Sequence, residues 1–129
     1  MTKEDTRPVF INLLRINLPI TGIVSILHRI SGFILFFSFP FLVWLLDRSL
    51  GSESSYLSLL EDINSNLLIK VGFSIVFMLL VYHLLAGIKK LLGEFFGIGE
   101  TLSSTKITSW STIVIFFFIL FLFIGVFWF

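Results

Sequence analysis

The sequence contains no cysteine among its 129 residues. This absence excludes disulfides, thiolate zinc sites, iron–sulfur ligation and covalent haem attachment through a C-x-x-C-H motif. A redox centre held by this chain would therefore be non-covalent, with histidine, methionine or carboxylate ligands.

Charge is also scarce, because only 13% of the residues are charged and the formal net charge is +1. A soluble domain usually carries about 25% charged residues. Without a dense basic patch, the composition excludes a nucleic-acid partner. Hydrophobic residues make up 57% of the chain and include 17 phenylalanines. These values indicate a membrane protein.

The N-terminus lacks the pattern of a signal peptide, since charged residues interrupt its apolar stretches and no small-residue cleavage site follows. The charged residues are Lys3, Glu4, Asp5, Arg7 and Arg15. We therefore expect the chain to be inserted by its own hydrophobic helices. Residues 1–20 are predicted to form a cytoplasmic or interfacial segment, with Pro8 and Pro19 at its turns.

Three apolar segments are long enough to cross a bilayer, which takes about 20 helical residues. They cover about 21–46, 67–92 and 110–129. Tryptophans near segment ends, Trp44, Trp110 and Trp128, are typical of interfacial anchors. The sequence thus predicts an all-α transmembrane fold with three spanning helices in a single membrane-anchor domain, 1–129.

The connections differ in charge, and this difference predicts the orientation. A loop rich in serine and acidic residues is predicted over 47–66, and a loop with glycine and hydroxyl residues over 93–109. Lysine and arginine are concentrated before the first span and around the second loop. Because cytoplasmic loops carry the excess of these residues, we expect a cytoplasmic N-terminus and an outward C-terminus.

Two polar groups interrupt the spans, and they contain the only two histidines of the chain. Ionisable residues inside a membrane helix are costly and suggest a functional site. In the first group, Ser25, His28, Arg29 and Gly32 share one face of the helix. This face would suit a cavity or a partner. Alternatively, Arg29 reaches the headgroups and His28 caps the helix.

The second group surrounds His83, which shares a helix face with Gly72, Gly87, Lys90 and Glu94. Neutral imidazole is a good iron ligand, and small neighbours would let a flat macrocycle approach the backbone. Lys90, two turns further on, could pair with a propionate. Alternatively, the histidine bonds to a neighbouring helix and Gly87 serves helix packing. By topology, both polar groups lie toward the same side of the membrane.

At these residues the chain resembles the cytochrome b subunit of succinate dehydrogenase. The resemblance covers essentially the whole chain, from Arg7-Pro8 near the start. Its most specific part is S-I-L-H-R-I-S-G over 25–32, followed by H-L-L-A-G-I-K over 83–89 and G-I-G-E-T over 97–101. Arg7-Pro8-Val9 is most similar to bacterial members.

The resemblance implies a three-helix subunit that is half of a heterodimeric membrane anchor, in the bacterial inner membrane. A second anchor subunit, an iron–sulfur subunit and a flavoprotein subunit would complete complex II, which passes electrons from succinate to ubiquinone. His83 matches one axial ligand of haem b, and the second ligand comes from the partner anchor. Ser25 and Arg29 match residues that line the ubiquinone pocket, and His28 matches a residue near the haem propionates.

The chain departs from bacterial relatives at Lys89-Lys90, where Arg-His is common. Lysine keeps the positive charge but lacks the planar fork of arginine, so propionate pairing at Lys90 would differ in geometry. Two other functions stay open. One is the anchor of a quinol:fumarate reductase, and the other is a cofactor-free helical assembly or transport accessory protein. No flavin site or cluster ligands are present, so the chain is not a complete enzyme by itself.

Overall fold

The computed structural model describes residues 18–129. Over this range the chain forms four helices and no strand, with α1 over Ile20–Leu50, α2 over Glu53–Ser65, α3 over Leu67–Phe96 and α4 over Leu102–Phe127. Helices α1, α3 and α4 have 31, 30 and 26 residues and are apolar enough to cross a membrane. The prediction of an all-α chain with three spanning helices is confirmed. The N-terminal segment predicted over 1–20 lies almost entirely outside the described residues.

The prediction of a loop over 47–66 is wrong, because most of this segment forms α2. The Ser52 side chain caps this helix by accepting a hydrogen bond from the Ser55 N–H at 3.1 Å. Leu59 and Ile63, four positions apart, lie on one face and are buried. Serine at an N-cap and apolar residues at helical spacing are signals of a short amphipathic helix.

The spanning helices also extend beyond their predicted bounds. Helix α1 continues to Leu50, and α4 begins at Leu102, well before Trp110. Thr101 caps α4, since its side chain accepts from the Ser104 N–H at 3.2 Å. The polar first turns of α4 therefore belong to the helix and not to a loop, which places their hydroxyl groups beside α3.

Neighbouring spanning helices are antiparallel, so the bundle has two distinct ends. At the near end, where α1 begins and α3 finishes, Gly32 lies against the His83 ring. At the far end, the Trp128 indole N–H donates to the Ser74 hydroxyl at 3.2 Å and joins α4 to α3. The near end carries both histidines.

The apolar core of the described part is small. It centres on Val24, Tyr82 and Ala86, with Ile113 and Phe116 packed against them. Most large apolar side chains on the three spanning helices are exposed in the isolated chain. A surface of this kind is expected where lipid or partner helices replace water.

Hydroxyl residues take much of the space between helices. Among residues 18–129 ten are buried, and four of these are Ser31, Ser74, Ser109 and Thr112. Each of the four donates to a backbone carbonyl of the preceding turn of its own helix. Their polar atoms are therefore satisfied locally, and their small side chains let neighbouring helices approach closely.

At the far end, Arg48 connects α1 to α2. Its guanidinium lies 2.7 Å from an Asp62 carboxylate oxygen. It also donates to the Ser58 hydroxyl and lies 5.5 Å from the centre of the Trp44 ring. These contacts hold α2 across the far end of the bundle, away from the histidines.

Candidate functional site

The two histidines, which are 55 positions apart in sequence, stack on each other at the near end. The centres of the His28 and His83 rings are 4.2 Å apart and their planes differ by 25°. Helix α1 presents one ring and α3 the other. The two polar groups noted in the sequence therefore meet in one place, which agrees with their predicted position toward the same side of the membrane.

The His83 ring is held by α1 on its Nδ1 side. Nδ1 lies 3.1 Å from the Ser31 hydroxyl and 3.2 Å from the His28 carbonyl oxygen. A methyl group built on Gly32 would lie only 2.7 Å from His83 Cε1. The small residue at position 32 is therefore required for this close approach of ring and backbone.

The His28 ring has the opposite character, because its Nε2 atom is buried and has no hydrogen-bond partner within the described residues. Its neighbour across the helix interface is Gly87, where an added Cβ would lie 3.5 Å from Nε2. A buried polar atom without a partner is costly, and it often marks the place of a ligand or water. Gly87 leaves room for such a group.

A cavity of about 250 Å³ opens beside His28 at the near end. Its polar and charged lining comes from the side chains of Ser25, His28, Lys89, Lys90, Thr105 and Thr108. Backbone at Gly93 and Gly99 and the apolar residues Val24, Ala86 and Ile98 complete the wall. Among residues 18–129 the lining has cations and hydroxyl donors but no carboxylate, and such a lining suits an anionic or hydrogen-bond-accepting ligand.

Lys89 forms the wall between α3 and α4. Its ammonium donates to the Ser109 hydroxyl at 2.8 Å, and Ser109 is completely buried. Ser109 in turn donates to the Thr105 carbonyl at 2.7 Å. Lys90 instead is exposed and has the Glu94 carboxylate at 3.8 Å. The two adjacent lysines thus differ, since Lys89 contacts α4 whereas Lys90 lies beside a carboxylate of its own helix.

The family of this chain is identified by its sequence. Residues 3–125 match the family described as the succinate dehydrogenase/fumarate reductase transmembrane subunit. The chain belongs to this family.

Three curated relatives of this family, each called a succinate dehydrogenase cytochrome b556 subunit, are similar over most of their length. The protein from Coxiella burnetii is 34% identical over 109 residues, 84% of this chain and 86% of its own. That from Rickettsia felis is 32% identical over 88% of this chain and 89% of its own. That from Rickettsia bellii is 32% identical over 74% of this chain and 72% of its own.

The structure brings some of the predicted site residues of this succinate dehydrogenase/fumarate reductase subunit together and leaves one apart. Ser25, His28 and Lys90 line the same cavity, and His83 stacks on His28. Arg29 is exposed and is not part of the cavity lining.

Three residues to which the sequence alone assigns no role in the site also shape it, namely Ser31, Tyr82 and Lys89. The buried Tyr82 hydroxyl donates to the Val24 carbonyl at 3.0 Å and so connects α3 to α1. Tyr82 directly precedes His83 on α3, and Val24 directly precedes Ser25 on α1. Ser31 could have been noticed, since it lies one turn after His28 on the polar face. For Tyr82 and Lys89 the partner residue is on another helix, and the sequence carries no signal for it.

No group of three or more His, Cys, Asp or Glu side chains within residues 18–129 is arranged to hold a metal ion. Within these residues the structure therefore gives no support for a metal ion bound entirely by such side chains. A macrocycle that carries its own iron ligands needs only an axial imidazole from the chain.

Proposed function

We propose that this chain is the membrane-anchor cytochrome b subunit of a succinate:ubiquinone oxidoreductase. In this role it contributes one axial ligand of haem b and part of the ubiquinone-reduction site. Family membership supports the class of complex. The observation that carries the assignment of the centres is the stacked pair of His28 and His83 beside a cationic cavity.

His83 fits the axial ligand role because of how its ring nitrogens are used. Nδ1 has oxygen atoms of Ser31 and His28 within 3.2 Å, so it is the nitrogen that carries hydrogen. Nε2 is then the free base that can bind iron. Bound haem b would supply a one-electron redox centre, and the second axial ligand would come from the partner anchor subunit.

His28 and Lys90 fit the vicinity of the haem propionates. His28 and the exposed Lys90 line the same cavity, and the buried His28 Nε2 has no hydrogen-bond partner within the described residues. An imidazole N–H and an ammonium both donate to carboxylates, and such charge-assisted bonds are among the stronger ones. A carboxylate here would also satisfy the buried nitrogen, which supports placing a propionate in this cavity.

Ser25 and Arg29 fit the ubiquinone site at the near end. Reduction of a quinone takes two electrons and two protons, and negative charge develops on its oxygens. The Ser25 hydroxyl can donate a hydrogen bond to a quinone oxygen, and the Arg29 guanidinium can stabilise the developing charge. Both side chains are exposed in the isolated chain, so a quinone would be enclosed only when partner subunits cover them.

The remaining partners follow from the same proposal. The iron–sulfur and flavoprotein subunits would dock at the near end, where the site residues lie, and a second anchor subunit would cover exposed apolar faces of the helices. With the near end cytoplasmic, as the lysines and arginines indicate, the chain would be a multi-pass protein of the bacterial inner membrane. Electrons would then reach the quinone from the cytoplasmic side.

The decisive experiment is a reduced-minus-oxidised absorbance spectrum of the complex purified through a tag on this chain. We expect a b-type haem spectrum and co-purifying flavin, and we expect His83→Ala to remove or shift that spectrum. An unchanged spectrum in His83→Ala would refute the ligand role. A complex without haem or flavoprotein would favour a cofactor-free assembly protein instead. Rates measured in both directions, with ubiquinone and menaquinone, separate a succinate dehydrogenase from a fumarate reductase.

A further inference from the structure

The Ser31 hydroxyl lies at the centre of a short hydrogen-bonded chain between the two polar helix faces. Ser31 is only 2% exposed. Its Oγ is 2.8 Å from the His28 carbonyl oxygen and 3.1 Å from His83 Nδ1. The carbonyl has no hydrogen, so the Ser31 hydroxyl donates to His28. Its lone pairs are then left for a donor, and that donor is His83 Nδ1–H.

The direct contact from His83 Nδ1 to the His28 carbonyl, at 3.2 Å, is the weaker alternative. Within α1 that carbonyl also accepts the backbone N–H of Gly32, four residues on. Because the Ser31 hydroxyl also donates to it, both lone pairs of the His28 carbonyl oxygen already accept a hydrogen bond. Ser31 is therefore the better acceptor for the imidazole hydrogen, and its own donated bond to His28 polarises it further.

We propose that Ser31 is a positioning residue that fixes the tautomer of His83 and lowers the haem midpoint potential. This inference rests on the proposed role of His83 as an axial ligand. A hydrogen-bond acceptor on the far nitrogen makes an imidazole a stronger electron donor through Nε2. Stronger donation stabilises ferric over ferrous iron, so it lowers the potential. Gly32 assists by leaving space for the ring, but Ser31 supplies the electronic effect.

The chain offers a matched control on the same helix. Ser38 makes the same kind of bond to its own helix, from its hydroxyl to the Ile34 carbonyl at 3.0 Å, and among the described residues no hydrogen bond joins it to either histidine. Ser38→Ala therefore removes an equivalent hydroxyl from α1. Ser31→Ala removes the hydrogen-bond acceptor of His83. Ser31→Cys also removes it, because sulfur is a weak acceptor, but it fills nearly the same volume as serine.

The experiment is a redox titration of the haem in the assembled complex for the parent, Ser31→Ala, Ser31→Cys and Ser38→Ala. We expect haem to be retained in all four and the midpoint potential to rise in both Ser31 variants. A tenfold shift of the equilibrium from ferric toward ferrous haem corresponds to a rise of about 59 mV in the midpoint potential of this one-electron couple. Ser38→Ala should match the parent.

Two results overturn the proposal. One is an unchanged or lower potential in Ser31→Cys with haem bound, and the other is an equal rise in Ser38→Ala. The Cys variant keeps the test valid if Ser31→Ala does not assemble. Failure of the underlying assignment is distinguishable, because His83→Ala would then keep the parent haem spectrum.

Discussion

The hydroxyl of Tyr82 donates to the carbonyl oxygen of Val24 at 3.0 Å, across the interface between α1 and α3. Tyr82 directly precedes His83, the proposed haem ligand, and Val24 directly precedes Ser25, a proposed quinone-binding residue. This one bond therefore fixes the positions of the two residues relative to each other along the helix axes. Tyr82 is also part of the small apolar core, with only 7% of its surface exposed. The bond therefore matters for both stability and function.

Tyr82→Phe should destabilise the bundle by about 0.6 kcal/mol, and by no more than about 1.7 kcal/mol, the range for bonds between membrane helices. The ring stays and only the hydroxyl is lost. Thermal unfolding of the complex in detergent measures the change. Tyr56→Phe is the matched control, because Tyr56 is 45% exposed on α2. An equal loss in both variants would show that the bond to Val24 contributes nothing specific.

Gly32→Ala should displace the His83 ring, since the new methyl would lie 2.7 Å from Cε1. We expect an altered or absent haem absorbance spectrum in the purified complex. Gly72→Ala, on α3, is the control because its nearest side-chain atom, Phe41 Cζ, is at an ordinary 3.8 Å. A parent-like spectrum in Gly32→Ala would mean that the ring does not hold this position when haem is bound.

Ser25→Ala and Arg29→Ala should each lower the succinate:ubiquinone rate by roughly 10²-fold, the typical cost of removing one preorganised donor. Succinate oxidation with an artificial acceptor should persist, because flavin and iron–sulfur chemistry belongs to other subunits. Lys106→Ala removes an exposed cation on the first turns of α4 and should keep the quinone rate. Normal quinone turnover in Arg29→Ala would exclude that residue from the site.

Arg48→Ala should loosen α2 without changing the haem. Its pair with Asp62 is partly exposed, with side chains 24% and 41% accessible, so solvent screening limits the expected loss to about 1 kcal/mol. Thermal unfolding measures that loss, and a double-mutant cycle with Asp62→Asn isolates the pair. Glu61→Gln, next in sequence, is the control. A shifted haem spectrum in Arg48→Ala would contradict the separation of the two ends.

The spanning helices, and the position of both histidines toward the same side of the membrane, could be predicted because their signals are strong. Long apolar segments have one stable solution in a bilayer. Ionisable groups inside them are rare, so the two polar groups were conspicuous. Antiparallel topology then placed His28 and His83 toward the same side, although it did not predict that their rings are in contact.

The rest depended on weaker signals. The serines and acids of 47–66 suggested a loop, although Leu59 and Ile63 had helical spacing. The exposed position of Arg29 followed from the rotation of α1 against its neighbours, which the helix wheel of one segment does not determine. The bonds of Tyr82 and Lys89 depend on which residue of another helix faces them, so no local pattern could have revealed them.

The small hydroxyl residues between the helices, such as Ser31 and Ser109, have a thermodynamic consequence. Separating these helices within a bilayer would expose little apolar surface to water, because lipid already surrounds the apolar side chains. Hydration of apolar surface is the main source of the heat-capacity increase on unfolding. The bundle should therefore come apart in lipid with a small heat-capacity change. Its stability would then vary almost linearly with temperature, without the cold-side decline of a water-soluble domain.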